Sequence, residues 1–143
     1  MSTRAMVFVS NKQGGELRAC MYVHGEGYPD WLGLKIAEFC KDRTVVNGHC
    51  GGAGVSNGMD NFAAQLVTHL ACKMGEAMHC EPAAHPGWLY LVGDSGKDQR
   101  DEWNYWLYEV DGVVHMTICS SSDEVYDGPA SELTAETIAE IQE

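Results

Sequence analysis

The order of apolar and polar residues divides the chain into short blocks with different periods. Residues 3–10, TRAMVFVS, are rich in apolar positions that alternate, NKQGG at 11–15 is a turn, and ELRACMYVH at 16–24 resumes a strand pattern. Together they predict a β-hairpin. GEGYPD at 25–30 then interrupts the alternation, and Asp30 stands as an expected cap before WLGLKIAEFCKD, in which Leu32, Ile36 and Phe39 recur at helical spacing. A longer helix is expected in MDNFAAQLVTHLACKM at 59–74, with Phe62, Leu66, His69 or Leu70, and Lys73 at helical intervals. Prolines and glycines break any period in GEAMHCEPAAHPG at 75–87.

WLYLVG at 88–93 and EWNYWLYEV at 102–110 read as strands around the polar turn DSGKDQRD, and Asp111-Gly112 leads tightly into VVHMTICS. That pattern predicts a three-stranded meander. The tail SELTAETIAEIQE predicts a third helix, with Ser131 as its cap and Leu133, Ile138 and Ile141 on one face. The expected fold is therefore α+β: a single domain over residues 1–143, with a largely antiparallel sheet of about five strands and helices packed on one face. A chain of 143 residues supports one core and is too short for two ordinary ones.

Composition changes the picture in two respects. Twenty-one acidic against nine basic residues leave a formal charge of -12, which repels double-stranded DNA and anionic lipid. An acidic surface can instead imitate nucleic acid toward a basic partner, and a small anion can still be held where basic groups and helix amides converge. Of the six cysteines, Cys20, Cys40, Cys72 and Cys119 fall in apolar periodic segments, where a reduced thiol packs as a small hydrophobe. That usage, with no membrane-length apolar run and no signal-peptide pattern, leads to an expected cytoplasmic location.

The candidate chemistry lies between the periodic blocks. His49-Cys50 and His79-Cys80, with His85, offer zinc-type donors, but adjacent residues seldom point at one ion and no Cys-x-x-Cys or His-x-x-x-His spacing occurs. No metal or other cofactor is expected. Cys50 or Ser56 with a histidine would be the elements of a nucleophilic hydrolase, yet no Gly-x-Ser-x-Gly elbow is present. The stretch VVNGHCGGAGVSNGMD at 45–60 carries five glycines, without the Gly-Lys-Ser/Thr of a phosphate loop. Its Ser56, Asn57 and Gly58 open the second helix, as caps or as a ligand-binding turn. Asp60 would suit the positive end of that helix.

In YVHGEGYPDW, His24, Tyr28 and Trp31 set planar side chains around a strand end, with Tyr22 on the side of His24 by alternation. A hydrophobic hinge would use the same residues. In EWNYWLYEV, alternation places Trp103 and Tyr105 on one face and Trp106 and Tyr108 on the other, one pair for the core and one for an interface.

TRA near the start, YVHGEGYPDWLG, VVNG, NGMDNFAAQLVTHL and NYWLYEV occur in an order that resembles a family of small, mostly uncharacterised proteins of tailed phages and prophages. Val23 departs from that pattern, since such proteins often carry a basic residue there. The resemblance implies a phage origin, a setting in the cytoplasm of the infected host, and counter-defence roles. The leading expectation is a non-enzymatic sponge for a nucleotide-like immune signal, using Arg4, His24, Tyr28, Trp31, Asn57 and Gly58, with a homo-oligomer allowed. The alternatives are an acidic inhibitor of a host defence protein, acting through Asp98, Asp101, Glu102, Asp123, Glu124 and the third helix, and a small nucleotide hydrolase.

Overall fold

The computed structural model describes residues 3–48, 52–77, 89–93, 96–121 and 123–141. Strand β1 (Ala5–Ser10) and β2 (Leu17–Val23) form the expected hairpin, joined through the turn closed by the Gly15 N–H on the Lys12 carbonyl. A π-type turn at Pro29–Gly33 runs into α1 (Leu34–Cys40). Tyr28, extended at ψ 157°, precedes this segment, and Asp30 falls inside the first turn instead of capping it. The reason is Pro29: its fixed φ and missing N–H suit the first helical position and hold the preceding residue extended.

Two three-residue strands, β3 (Thr44–Val46) and β4 (Val55–Asn57), pair in parallel on either side of the glycine-rich stretch. The long helix α2 (Gly58–Ala77) follows directly. Strand β5 is Leu89–Val92, β6 is Trp103–Val110, β7 is Val113–Ser120 and β8 is Asp123–Pro129. A short 3-10 turn at Ala130–Glu132 leads to α3 (Ala135–Ile141), where Thr134 Oγ1 accepts the Thr137 N–H. Thr134 thus caps α3 in place of Ser131, which sits within the 3-10 turn.

The main sheet has six strands in the order β5-β2-β1-β6-β7-β8. All neighbours are antiparallel except β1 and β6, which run parallel with Ala5 opposite Trp103. The α+β expectation holds, but the expected meander of β5, β6 and β7 does not form. β5 returns to the outside of β2, β6 crosses to the far side of β1, and the meander is β6-β7-β8. Asp111 and Gly112, at φ 49° and 83°, make the left-handed hairpin turn between β6 and β7, the backbone that Asp-Gly adopts most readily.

Strand alternation sends Ala5, Val7, Val9, Met21, Val23, Tyr105, Leu107, Met116 and Ile118 to the helix side. There they pack with Leu32 and Ile36 from the first helical segment, Phe62, Leu66 and Leu70 of α2, and Ile138 of α3. Burial of these side chains, at roughly 25 cal/mol per Å² of apolar surface, is the main stabilising term. The opposite face holds a smaller core of Met6, Phe8 and Cys20, flanked by Tyr22, Val92 and Trp106. Phe8 stacks on Trp106 at 4.0 Å, and the Arg100 guanidinium lies 4.8 and 4.7 Å from the two rings. Both aromatic pairs of β6 are therefore drawn inward: Tyr105 and Tyr108 are buried, and Trp103 and Trp106 half-buried. No described helix is long and apolar enough to cross a membrane.

Candidate functional site

The two ends of the β1-β2 hairpin present different chemistry. At one end, Ala5 pairs with Val23, so Arg4 and His24 stand one step beyond the last pair, and alternation puts both on the face away from the helices. Tyr22 Oη lies 2.9 Å from His24 Nδ1, and the Tyr22 ring lies 5.7 Å from that of Tyr90 on β5. The turn that follows is anchored by close backbone contact. The Gly27 N–H donates to the Thr3 carbonyl at 2.9 Å, and the buried Tyr105 hydroxyl donates to the Gly27 carbonyl at 2.7 Å. A Cβ at Gly27 would meet the Thr3 oxygen at 2.8 Å, so only glycine fits. Between two glycines, Glu26 adopts φ 61° and accepts the Tyr28 hydroxyl at 2.7 Å, a bond that raises the Tyr28 pKa.

Trp31 does not join this group. It packs against the helix-side core with Lys35 Nζ 5.9 Å from its ring. Val23, where the family resemblance would place a basic group, is fully buried in the same core.

Asn57 and Gly58 lie at the start of α2, near the other end of the hairpin. Neither Ser56 nor Asn57 caps the helix through its side chain. Asn57 Oδ1 accepts the Gly48 N–H, and Asn61 reaches back to accept the Asn57 N–H. Ser56 is buried and donates to Gln65 Oε1, which also receives Arg43 Nη1 at 2.9 Å. Arg43 stacks 4.0 Å from the Phe39 ring centroid, so this network ties α1, β4 and α2 together. The chain thus crosses between the parallel strands β3 and β4, and Asn57 holds Gly48 beside the start of α2. His49, Cys50, His79, Cys80 and His85 lie outside the described residues. Among the described residues, no group of three His, Cys, Asp or Glu is placed to hold a metal.

A bulge at Arg18, where Ser10 pairs with Leu17 and Val9 with Ala19, turns the Arg18 side chain toward α2. Its guanidinium grips Asp60 with both forks, at 2.7 and 2.6 Å. The hydrogen-bonded pairing lowers the Asp60 pKa and raises that of Arg18. Arg18 also borders two clefts. One, of about 540 Å³, is lined by Glu16, Leu17, Ala19, Cys20, Val92, Gly93 and Lys97; the other, about 370 Å³ and mainly apolar, by Ala19, Asp60, Ala63, Ala64, Val67 and Leu91. Neither cleft is lined by Arg4, His24 or Tyr28, which lie at the opposite end of β2 from Arg18. The six residues expected to bind one ligand are accordingly spread over the hairpin end, the helix-side core and the start of α2.

The acidic residues behave differently. Residues 101–143 carry 11 of the 21 acidic residues and no lysine or arginine, whereas residues 1–100 are almost balanced. In the fold this segment is β6, β7, β8 and α3, one contiguous half of the molecule. Trp103 pairs with Ser120, and the Ser121 N–H donates to the Glu102 carbonyl, which draws Asp101 and Glu102 alongside the β7-β8 turn with Asp123 and Glu124. Asp127, further along β8, accepts the hydroxyls of Tyr108 and Thr117 at 2.8 and 2.9 Å through one carboxylate oxygen. Among the described residues, no ion pair includes an acid of this half. Sequence reading identified the acids of the loop, of β8 and of α3. Arg18 and Lys97 escaped it, because a bulge and a crossover leave no periodic trace.

Compared with known protein families, curated proteins and solved structures, the chain matches none.

Proposed function

We propose that this chain is a phage-encoded, non-enzymatic binding protein whose acidic half occupies a basic surface on a host defence protein. The observation that carries this reading is the segregation of charge: residues 101–143 hold 11 acids without one lysine or arginine, and the ten that fall among the described residues lie on or beside β6, β7, β8 and α3 with no cation paired to them there. A field of one sign over a whole half of a domain steers a cationic partner and raises its association rate. Pairing with β7 places β8, and Tyr108 and Thr117 fix the orientation of Asp127, so part of this surface is organised before binding. Surfaces that track nucleic-acid phosphates have the complementary charge.

The test compares the wild type with a Glu132→Lys, Glu136→Lys, Glu140→Lys variant in capture from host lysate and in titration of the captured protein. The expected outcome is an association rate that falls with added salt and is lost in the variant. Equal affinity for wild type and variant, or binding indifferent to salt, would overturn the reading.

A second reading, the sponge for a nucleotide-like signal, is favoured by the cleft of about 540 Å³. Its size suits a small ligand, and it gathers Arg18 and Lys97 in an otherwise acidic protein. On this reading the anion meets Lys97 and Arg18, while Arg4, His24 and Tyr28 belong to a separate surface. Native mass spectrometry with a nucleotide panel separates the two readings: a retained nucleotide that Lys97→Glu abolishes supports the sponge, and no adduct removes it for those ligands.

A further inference from the structure

The two outer strands of the sheet are protected unequally. β8 exposes Asp123, Glu124 and Asp127, ends in Gly128-Pro129, and is irregular in its pairing with β7. Charge, proline and bulges are the devices by which an edge strand avoids pairing with another chain. β5 has none of them. Its sequence is Leu-Tyr-Leu-Val, its pairing with β2 is regular, and Tyr90 and Leu91 are 50% and 70% exposed.

We infer that β5 pairs with β5 of a second copy of this chain, antiparallel, about a two-fold axis through Tyr90. An antiparallel two-fold pair sets residues of the same face opposite one another. Centred on Tyr90, it places Tyr90 against its own copy and Leu89 against Leu91 of the second chain. Leu-Tyr-Leu reads the same in both directions, so each facing pair within Leu89–Leu91 is aromatic with aromatic or aliphatic with aliphatic. The tyrosine pair extends the Tyr22-Tyr90 contact on one face. On the other, the leucine pairs close over the apolar cleft where Leu91 meets Ala63, Ala64 and Val67 of α2.

Charge decides in favour of a second copy at this edge, although each chain carries -12. With β5 and β8 at opposite ends of six strands and about 4.8 Å between neighbours, the acidic edge lies roughly 24 Å from the junction. That distance is about three Debye lengths at physiological ionic strength. Pairing through β5 therefore sends the two acidic halves to the far ends of a twelve-stranded sheet and leaves both free for partners. A basic partner finds no acid on β5 itself.

A three-residue ladder is short, so the association depends on concentration. Sedimentation velocity over a concentration series should show the mass rising from 15.7 kDa toward twice that value, and rising further with added salt as the residual like-charge repulsion is screened. Leu91→Lys and Tyr90→Lys alter exposed side chains, keep the wild-type circular dichroism, and should remain monomeric throughout. Tyr90→Cys in a Cys72→Ser background should cross-link to a disulfide dimer on mild oxidation. A wild type that stays monomeric over the series, or a dimer that survives both lysine substitutions, would overturn the proposal.

Discussion

The halves of the sheet on either side of the parallel β1-β6 seam are built for different tasks. The half with β5, β2, β1, α1 and α2 is nearly neutral, and its long helix supplies Phe62, Leu66 and Leu70 to the core. The half with β6, β7, β8 and α3 contributes to the same core, yet it carries almost the whole net charge on its outside. Packing and charge can be distributed independently, because a strand turns alternate residues to opposite faces and burial constrains only one of them. The fold tolerates such asymmetry because surface repulsion falls within a Debye length, while the buried face gains from every apolar contact.

The largest expected effect separates the halves by their anchors. Leu66→Ala, in the middle of α2, should cost about 2–5 kcal/mol in urea unfolding, the range for emptying a fully buried leucine site. Ile138→Ala, on the seven-residue α3, should cost less because its surroundings can collapse more readily. Equal losses would show that the acidic half anchors the fold as firmly as the neutral one.

Next in size is the seam itself. Tyr105 of β6 reaches across to the buried Gly27 carbonyl, and Tyr105→Phe leaves that carbonyl without its donor, at a cost of about 1–3 kcal/mol. The same substitution should loosen the turn over residues 25–28, read out as faster amide exchange at Gly27, whose N–H bonds to Thr3. Unchanged exchange would mean that Thr3 alone holds the turn.

A smaller effect tests the neutral half by pH. His69 packs against Phe39 at 5.0 Å between α1 and α2, with Nε2 buried and without a hydrogen-bond partner among the described residues. Burial lowers its pKa; nearby Glu38 opposes that shift, and Lys73 reinforces it. The unfolded state therefore binds a proton more readily than the native state. Stability should fall as pH drops below about 6.5, the unfolded value, and level off once pH passes below the lowered native pKa. His69→Leu should flatten that part of the profile; an unchanged profile would assign the acid sensitivity to another group.

The smallest effect belongs to the acidic half. Glu140→Lys, in the last turn of α3, removes one like charge and favours the helix dipole, and should stabilise the chain by about 0.5 kcal/mol at low salt. Added salt should reduce the gain. A loss of stability instead would point to a structural contact of Glu140.

The hairpin of β1 and β2, the Asp111-Gly112 turn and α2 were legible because each carries a strong local signal: alternation, a left-handed dipeptide, or a sustained helical period. β8 was not, since DEVYDGP combines three acids with glycine and proline, and its strand conformation comes from pairing with β7. β3 and β4 were equally hidden, being three residues each and joined only across the glycine-rich stretch. For the candidate sites, the acids of α3 were visible from sequence as a patterned face. The Arg18-Asp60 grip was not, because a bulge reorients one side chain without altering the residue pattern.

Sequence alone determined which faces must be buried, where the backbone can turn left-handed, and that the acids accumulate toward the carboxyl end. These are properties of neighbouring residues, and short-range sterics and hydrophobic periodicity express them locally. Only the tertiary structure decided that β5 returns to β2 and that β6 crosses to β1. Those pairings depend on which distant strands complete one another's hydrogen bonds and on how helices cover one face of the sheet. Strand order converted a charge gradient along the chain into an acidic half in space, and left one uncharged strand at the opposite edge.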